Sequence, residues 1–198
     1  MALEQAEVKQ DYLYQQSISY FSSILSNALF TDNRNTPYKA EYGFHHGLEL
    51  LSQTDKSDGN VYVIGNGGSA AIASHIVNDF CNTSGLRAHT LHEPALMTCF
   101  TNDYGYENAY ASLLSRVARR QDLLIAISSS GNSINIHRAV DTARQIGLNV
   151  ITLSGFSEEN VLRCMGDLNI WLDASHYGMV EVGHLFLLHH LADRYSRV

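Results

Sequence analysis

Val61-Tyr62-Val63-Ile64-Gly65-Asn66-Gly67-Gly68-Ser69 runs from four strand-forming residues into a glycine-rich turn and on into a helical pattern. A strand that ends in glycines and small hydroxyl residues can fold its backbone N–H groups into a concave cradle. The helix that follows adds unsatisfied donors and partial positive charge, a combination suited to phosphate. Residues 123–127 lead in the same way into Ser128-Ser129-Ser130-Gly131-Asn132-Ser133. Two such turns in one small chain point to a phosphorylated ligand. The first turn is not the dinucleotide fingerprint, because Ala70 stands where Gly-x-Gly-x-x-Gly needs its third glycine, and it has no P-loop lysine. No nucleotide cofactor is expected, and a smaller phosphate ester is favoured over NAD or ATP.

Outward from these turns, short apolar runs at residues 61–64, 86–91, 123–127, 150–153 and 168–172 alternate with helical patterns at 69–82, 106–120, 132–146, 157–164 and 178–196. That alternation predicts an α/β fold in which a five-stranded parallel sheet is covered by helices on both faces, with ligands outside the C-terminal ends of its strands. Before the first strand, residues 8–29 and 36–54 place apolar side chains, among them Tyr12, Ile18, Phe21, Ile24, Leu25 and Leu29, at helical spacing. Asp32, Asn33, Asn35 and Thr36-Pro37 punctuate the join. The expectation is one domain over residues 1–198, with an N-terminal helical hairpin at 1–57 and an α/β core at 58–198.

Composition narrows the ligand further. The 198 residues are 45% apolar, enough for one compact core, and carry a formal charge of −7. No basic face is available for a nucleic-acid backbone. Cys81, Cys99 and Cys164 are odd in number and widely spaced, so they are expected to be reduced thiols in packed positions rather than a disulfide framework or a cysteine zinc cluster. The N-terminus is acidic and has no apolar run, which argues against a signal peptide or membrane span and makes the cytoplasm the expected compartment.

Three sets of polar residues carry candidate chemistry. His75 and Asp79 are four apart, on one helix face, within reach of a common ion or substrate, although a solvated surface pair has the same spacing. Glu181, His184, His189 and His190 lie on a largely apolar last helix. Helical geometry sets Glu181 and His189 about 80° apart but His184 and His189 about 140° apart, so the two histidines should not serve one site equally. Each histidine could instead bond a backbone carbonyl in the core. Asn102-Asp103-Tyr104-Gly105-Tyr106 reads as a turn in which Asp103 caps the next helix or presents its carboxylate to sugar hydroxyls.

Taken together, the Gly65–Ser69 turn, Asn102-Asp103-Tyr104-Gly105-Tyr106, the Ser128–Ser133 turn continuing into Ile134-Asn135-Ile136, and the Glu181…His184…His189 helix resemble the sugar isomerase (SIS) domain. They are most similar to phosphoheptose isomerases, and the likeness runs through nearly the whole chain. The resemblance implies a flavodoxin-like subunit in a homotetramer with active sites between subunits, acting on a small phosphorylated sugar. The reaction implied is sedoheptulose 7-phosphate to D-glycero-D-manno-heptose 7-phosphate through an enediol, feeding lipopolysaccharide, capsule or another surface glycan. It places substrate contacts at Asn66, Gly67, Gly68, Ser69, Asn102, Asp103, Ser128, Ser129, Ser130, Ser133 and Glu181. A metal and acid–base cluster falls on His75, Asp79, Glu181 and His189, with His189 and Asp79 catalytic.

Two of those four positions depart from the family. Asp79 stands in place of glutamate, one methylene or roughly 1.5 Å shorter, and Glu181 stands in place of glutamine, adding negative charge near Asp79. Two imidazoles and two carboxylates suit a divalent ion, zinc favoured. The alternative implied by the same family is a non-catalytic SIS module that binds a sugar phosphate as a sensor or a protein partner as initiator-associating relatives do. An isomerase of another sugar phosphate is the third reading.

Overall fold

The computed structural model describes residues 13–196, so the expected helical pattern of residues 8–12, with Tyr12, lies outside the described residues. Helix α1 (Tyr14–Ser26) leads into two short strands, β1 (Leu29–Thr31) and β2 (Pro37–Tyr38), and then into α2 (Ala40–Lys56). Strands and helices alternate from there: β3 (Val61–Ile64), α3 (Gly68–Asn82), β4 (Ala88–Thr90), the consecutive helices α4 (Pro94–Tyr104) and α5 (Tyr106–Val117), and β5 (Leu123–Ser128). They continue with α6 (Ile134–Ile146), β6 (Asn149–Ser154), a 3-10 turn at Val161–Cys164, β7 (Leu168–Trp171) and α7 (Tyr177–Tyr195).

All five expected strands are present and parallel, in the order β7-β6-β5-β3-β4. The sheet nevertheless has seven strands rather than five, because β1 joins it antiparallel to β7 and β2 pairs outside β1. The join of the helical hairpin is therefore a small ribbon, and Leu29 belongs to a strand, opposite Trp171, instead of closing the first helix. The helix expected over 157–164 shrinks to the single 3-10 turn, held by the Asn160 side chain accepting from Arg163 N–H.

Every residue of β3 and β5 is buried, which is what strands covered on both faces require. Alternate side chains then feed two separate cores. Val63, Ile125, Ile127, Ile151 and Leu153 pack with α2, α3 and α7 through Leu51, Ile76, Phe80, Val180 and Leu188. Tyr62, Ile64, Leu124, Ala126 and Val150 pack on the other side with α5 and α6 through Tyr110, Leu114, Ile136 and Val140. Fully burying one side chain of this size contributes about 1.5–3 kcal/mol, so these two layers fix where the strand ends, and hence the turns, must sit.

The cysteines depart from expectation. Cys81, Cys99 and Cys164 are free thiols, but all three are exposed, on the outward sides of α3, α4 and the 3-10 turn. No helix among the described residues is long and apolar enough to cross a membrane.

Candidate active site

The chain passes from β3 to β4 on one side and returns to β5 on the other side of β3. A parallel sheet opens a crevice at such a divergence, outside the carboxyl ends of the strands. Here it is a cleft of about 240 Å³ lined by Asn66, Gly67, Gly68 and Ser69 from the first turn, Ser128, Ser129, Ser130 and Ser133 from the second, and Tyr177 and Glu181 from α7. None of the lining residues is Lys or Arg, so an anion in the cleft would be held by backbone N–H groups and hydroxyls.

The first turn needs its glycines for different reasons. A Cβ on Gly65 would lie 2.6 Å from the Ser69 carbonyl group, so the turn could not close as tightly, and Gly67 has a φ of 52° in the left-handed region. Ser69 Oγ sits 3.4 Å from Ser129 Oγ, and Ser128 Oγ donates to Ser133 Oγ at 3.1 Å, so the hydroxyls of the two turns meet on one rim.

Two turns further along α3, the helix meets α7. His189 Nδ1 lies 2.8 Å from Asp79 Oδ2, and His75 Nε2 lies 3.9 Å from the same oxygen. The two imidazoles are 4.9 Å apart at 66°. Asp79 is the most sheltered of the three, with 18% of its side chain exposed. The three ligand atoms lie within 4.8 Å of one another, an N,N,O set that could hold a divalent cation.

Glu181, expected as a fourth member of that cluster, is not in it. Its carboxylate lies over Gly68 at the start of α3, so close that an alanine Cβ at position 68 would overlap it. It lines the cleft instead. His184 is fully buried and donates from Nε2 to the Ser154 carbonyl at 3.0 Å, so it has the core role and His189 the cluster role. Burial holds the His184 pKa down to about 4, against the opposing pull of its bond to Ser154. His190 packs edge-on against Phe44.

Asn102 and Asp103 also differ from expectation. They form no turn but sit in the last turn of α4, where Asn102 Nδ2 donates to Asp103 Oδ1 at 2.9 Å. Gly105, not Asp103, precedes α5. Neither residue lines the cleft of its own chain.

The sequence pattern of the SIS domain matches residues 38–155. The chain belongs to the SIS domain family. Over 138 residues this SIS chain is 34% identical to a phosphoheptose isomerase of Edwardsiella ictaluri, spanning 67% of this chain and 70% of that relative. A Helicobacter pylori phosphoheptose isomerase is 29% identical over 156 residues, 76% of this chain and 81% of the relative. The solved phosphoheptose isomerase of Neisseria gonorrhoeae superposes with a TM-score of 0.76 at 25% identity, covering 92% of this chain and 98% of that one.

Within this SIS domain, four residues at the cleft were not among the expected site residues, although Tyr106 and Asn135 stood within the quoted motifs. Tyr177 forms part of its wall. Tyr106 donates to Asn66 Oδ1 at 2.7 Å, Tyr110 donates to the Gly65 carbonyl at 2.6 Å, and Asn135 pairs with the Asn66 amide. The available signal was the spacing Tyr106-x-x-x-Tyr110, which puts both phenols on one face of α5.

Proposed function

We propose that the chain is an aldose–ketose isomerase that interconverts sedoheptulose 7-phosphate and D-glycero-D-manno-heptose 7-phosphate through an enediol. The observation that carries this reading is that cleft and cluster lie along one seam between α3 and α7. Gly68, His75 and Asp79 fall within about 40° of one another around α3. Helix α7 meets that face with Glu181 over Gly68 and His189 on Asp79. Seven residues separate Gly68 from His75, a rise of about 10 Å. With C–C bonds of about 1.5 Å, an extended seven-carbon phosphate is of the length of that rise from Gly68 to His75.

Ser128, Ser129, Ser130 and Ser133 hold the phosphate in this reading, and the Asn66–Ser69 backbone borders the sugar. Asp79 accepts the Nδ1–H of His189, which leaves the Nε2 lone pair for the substrate. His189 takes the proton from the carbon beside the carbonyl and returns it to the neighbouring carbon, while a proton moves between the two oxygens, so no electrons enter or leave. The same three residues, His75, Asp79 and His189, would in a second arrangement hold a divalent ion, zinc by donor type, that would polarise the carbonyl; His189 would then be a ligand, so its role as base belongs to the ion-free cluster. Glu181 contributes negative charge at the cleft end of the same seam.

Incubation with sedoheptulose 7-phosphate in D2O tests the reaction. Heptose 7-phosphate with deuterium beside the carbonyl is expected by NMR. Ligand-induced thermal stabilisation without exchange would move the chain to the sensor reading. Elemental analysis separates the two arrangements: about one zinc per chain, lost in a His75→Ala/His189→Ala double variant, is expected of the ion-bound cluster. A metal-free parent that still isomerises would remove the metal from the site and leave the His189–Asp79 pair.

We further propose a homotetramer with sites completed between subunits. Supporting it are exposed apolar side chains on α1 and α7, namely Tyr14, Ile18, Val182 and Phe186, and the placement of Asn102 and Asp103 outside their own chain's cleft. Light scattering is expected to give the mass of a tetramer, and a monomer that turns over substrate would overturn it. A cytoplasmic location goes with a phosphorylated substrate and three free thiols.

A further inference from the structure

Asn135 is the second residue of α6 and only 2% exposed. A buried amide in such a place requires partners for both of its ends, and it finds them on the other phosphate turn. Asn135 Nδ2 donates to Asn66 Oδ1 at 2.8 Å, and Asn66 Nδ2 donates back to Asn135 Oδ1 at 2.9 Å. Asn135 Oδ1 also accepts from its neighbour Ile136 N–H at 3.0 Å. From the opposite side, Tyr106 adds its 2.7 Å bond to Asn66 Oδ1. The Asn66 side chain is thus largely engaged by protein groups, and what its turn offers a ligand is mostly backbone.

We propose that Asn135 and Tyr106 are positioning residues of the sugar-phosphate site, locking the glycine turn to the serine turn and thereby setting its affinity for phosphate. The inference rests on the reading of the cleft as a sugar-phosphate site. Asn66 is the second residue of the first turn, and Asn135 follows the last serine of the second by two residues. Among the described residues, the only other side-chain contact between these loops is the longer 3.4 Å approach of Ser69 and Ser129. Releasing the amide pair lets the two sets of donors drift apart, so an anion must organise them on binding, which weakens affinity. The reacting groups at His189 and Asp79 lie further along the seam and are not moved. Affinity should therefore change while turnover does not.

Tyr106→Phe and Asn135→Ser, singly and together, test this through the KM and kcat for sedoheptulose 7-phosphate and the Kd for inorganic phosphate by calorimetry. Tyr106→Phe is expected to raise KM and phosphate Kd about fivefold, the effect of one neutral hydrogen bond, with kcat within about threefold of the parent. Asn135→Ser is expected to raise both by about tenfold or more. In the double variant Tyr106→Phe should add less than it does alone, because Asn66 is already released. Tyr106 is half exposed, so Tyr106→Phe folds and decides the matter even if Asn135→Ser does not.

Folded variants with the parent KM and Kd, or with kcat falling as far as KM rises, overturn the inference. A parent that isomerises while its variants keep parental KM leaves the isomerase reading standing and removes the clamp. A parent that binds phosphate without isomerising, with weaker binding in the variants, does the reverse. A parent that binds neither probe overturns both.

Discussion

His189→Ala is expected to lower kcat for heptose isomerisation by a factor of about 10³ while the Kd for sedoheptulose 7-phosphate stays within about threefold. Proton transfer is the whole of this reaction, so the group that performs it carries much of the acceleration. In the proposed function the phosphate is held elsewhere, at the serine turn, so its binding should not depend on the imidazole. Asp79→Asn should follow the same pattern with a smaller loss of about 10². Its amide presents an N–H or a weaker acceptor to Nδ1, so the imidazole loses its fixed tautomer, and His189 its orientation. Rapid-quench turnover set beside calorimetric binding separates the two quantities. A His189→Ala protein with parental kcat would remove proton transfer from this residue, and one that had lost binding in proportion would make His189 a ligand contact instead.

The parts of this architecture that were legible share one property: enough consecutive residues to show a pattern. β3 and β5 are unbroken apolar runs ending in glycine or serine, and both their burial and the turns after them were readable. β1 and β2 were not, because strands of three and two residues offer too few positions for a period, and their place in the sheet depends on β7, far along the chain. Helix α4 shows the opposite failure. None of its residues is buried, and only Met97 and Phe100 pack against a core, so its apolar face is too short to carry into the last turn. Its polar last turn, Asn102-Asp103, therefore looked like a loop, and only the Gly105 φ of 79° separates it from α5.

At the site, angle was legible and distance along the helix was not. His184 and His189 diverge around α7, and the structure sends one into the core and the other to Asp79. The family resemblance put Glu181 in one cluster with His189, and an offset of about 80° around α7 did not speak against it. Eight residues of α-helix, however, rise about 12 Å, so the carboxylate reaches the cleft at Gly68 and not the imidazoles. The reciprocal bonding of Asn66 and Asn135 had no local trace either, since it arises only where two distant loops meet. Both asparagines were visible within the motifs, but the use of the Asn66 amide on protein, rather than on sugar, depends on the third dimension.

The core histidine gives the protein a calculable weakness to acid. His184 is neutral in the fold, with its pKa pushed down by burial to about 4 from an ordinary 6.5, and its Nδ1 has no hydrogen-bond partner among the described residues. The unfolded chain therefore binds more protons than the folded one between those values, and stability must fall as pH falls through that window. The stabilisation is complete above about pH 6.5 and is lost progressively toward pH 4. From pH 7 to 5 the expected loss is about 2 kcal/mol, or about 5 °C in Tm for a chain of this size. His92, whose pKa is also lowered by burial, acts in the same direction. His184→Gln should keep a donor near the Ser154 carbonyl without titrating, so its stability at pH 7 falls modestly while the slope between pH 7 and 5 flattens. Calorimetric unfolding of parent and variant across that range measures both effects. A His184→Gln protein with the parental slope would show that the acid sensitivity lies elsewhere, whereas a flattened slope would tie it to the imidazole that α7 buries about one and a half turns before His189.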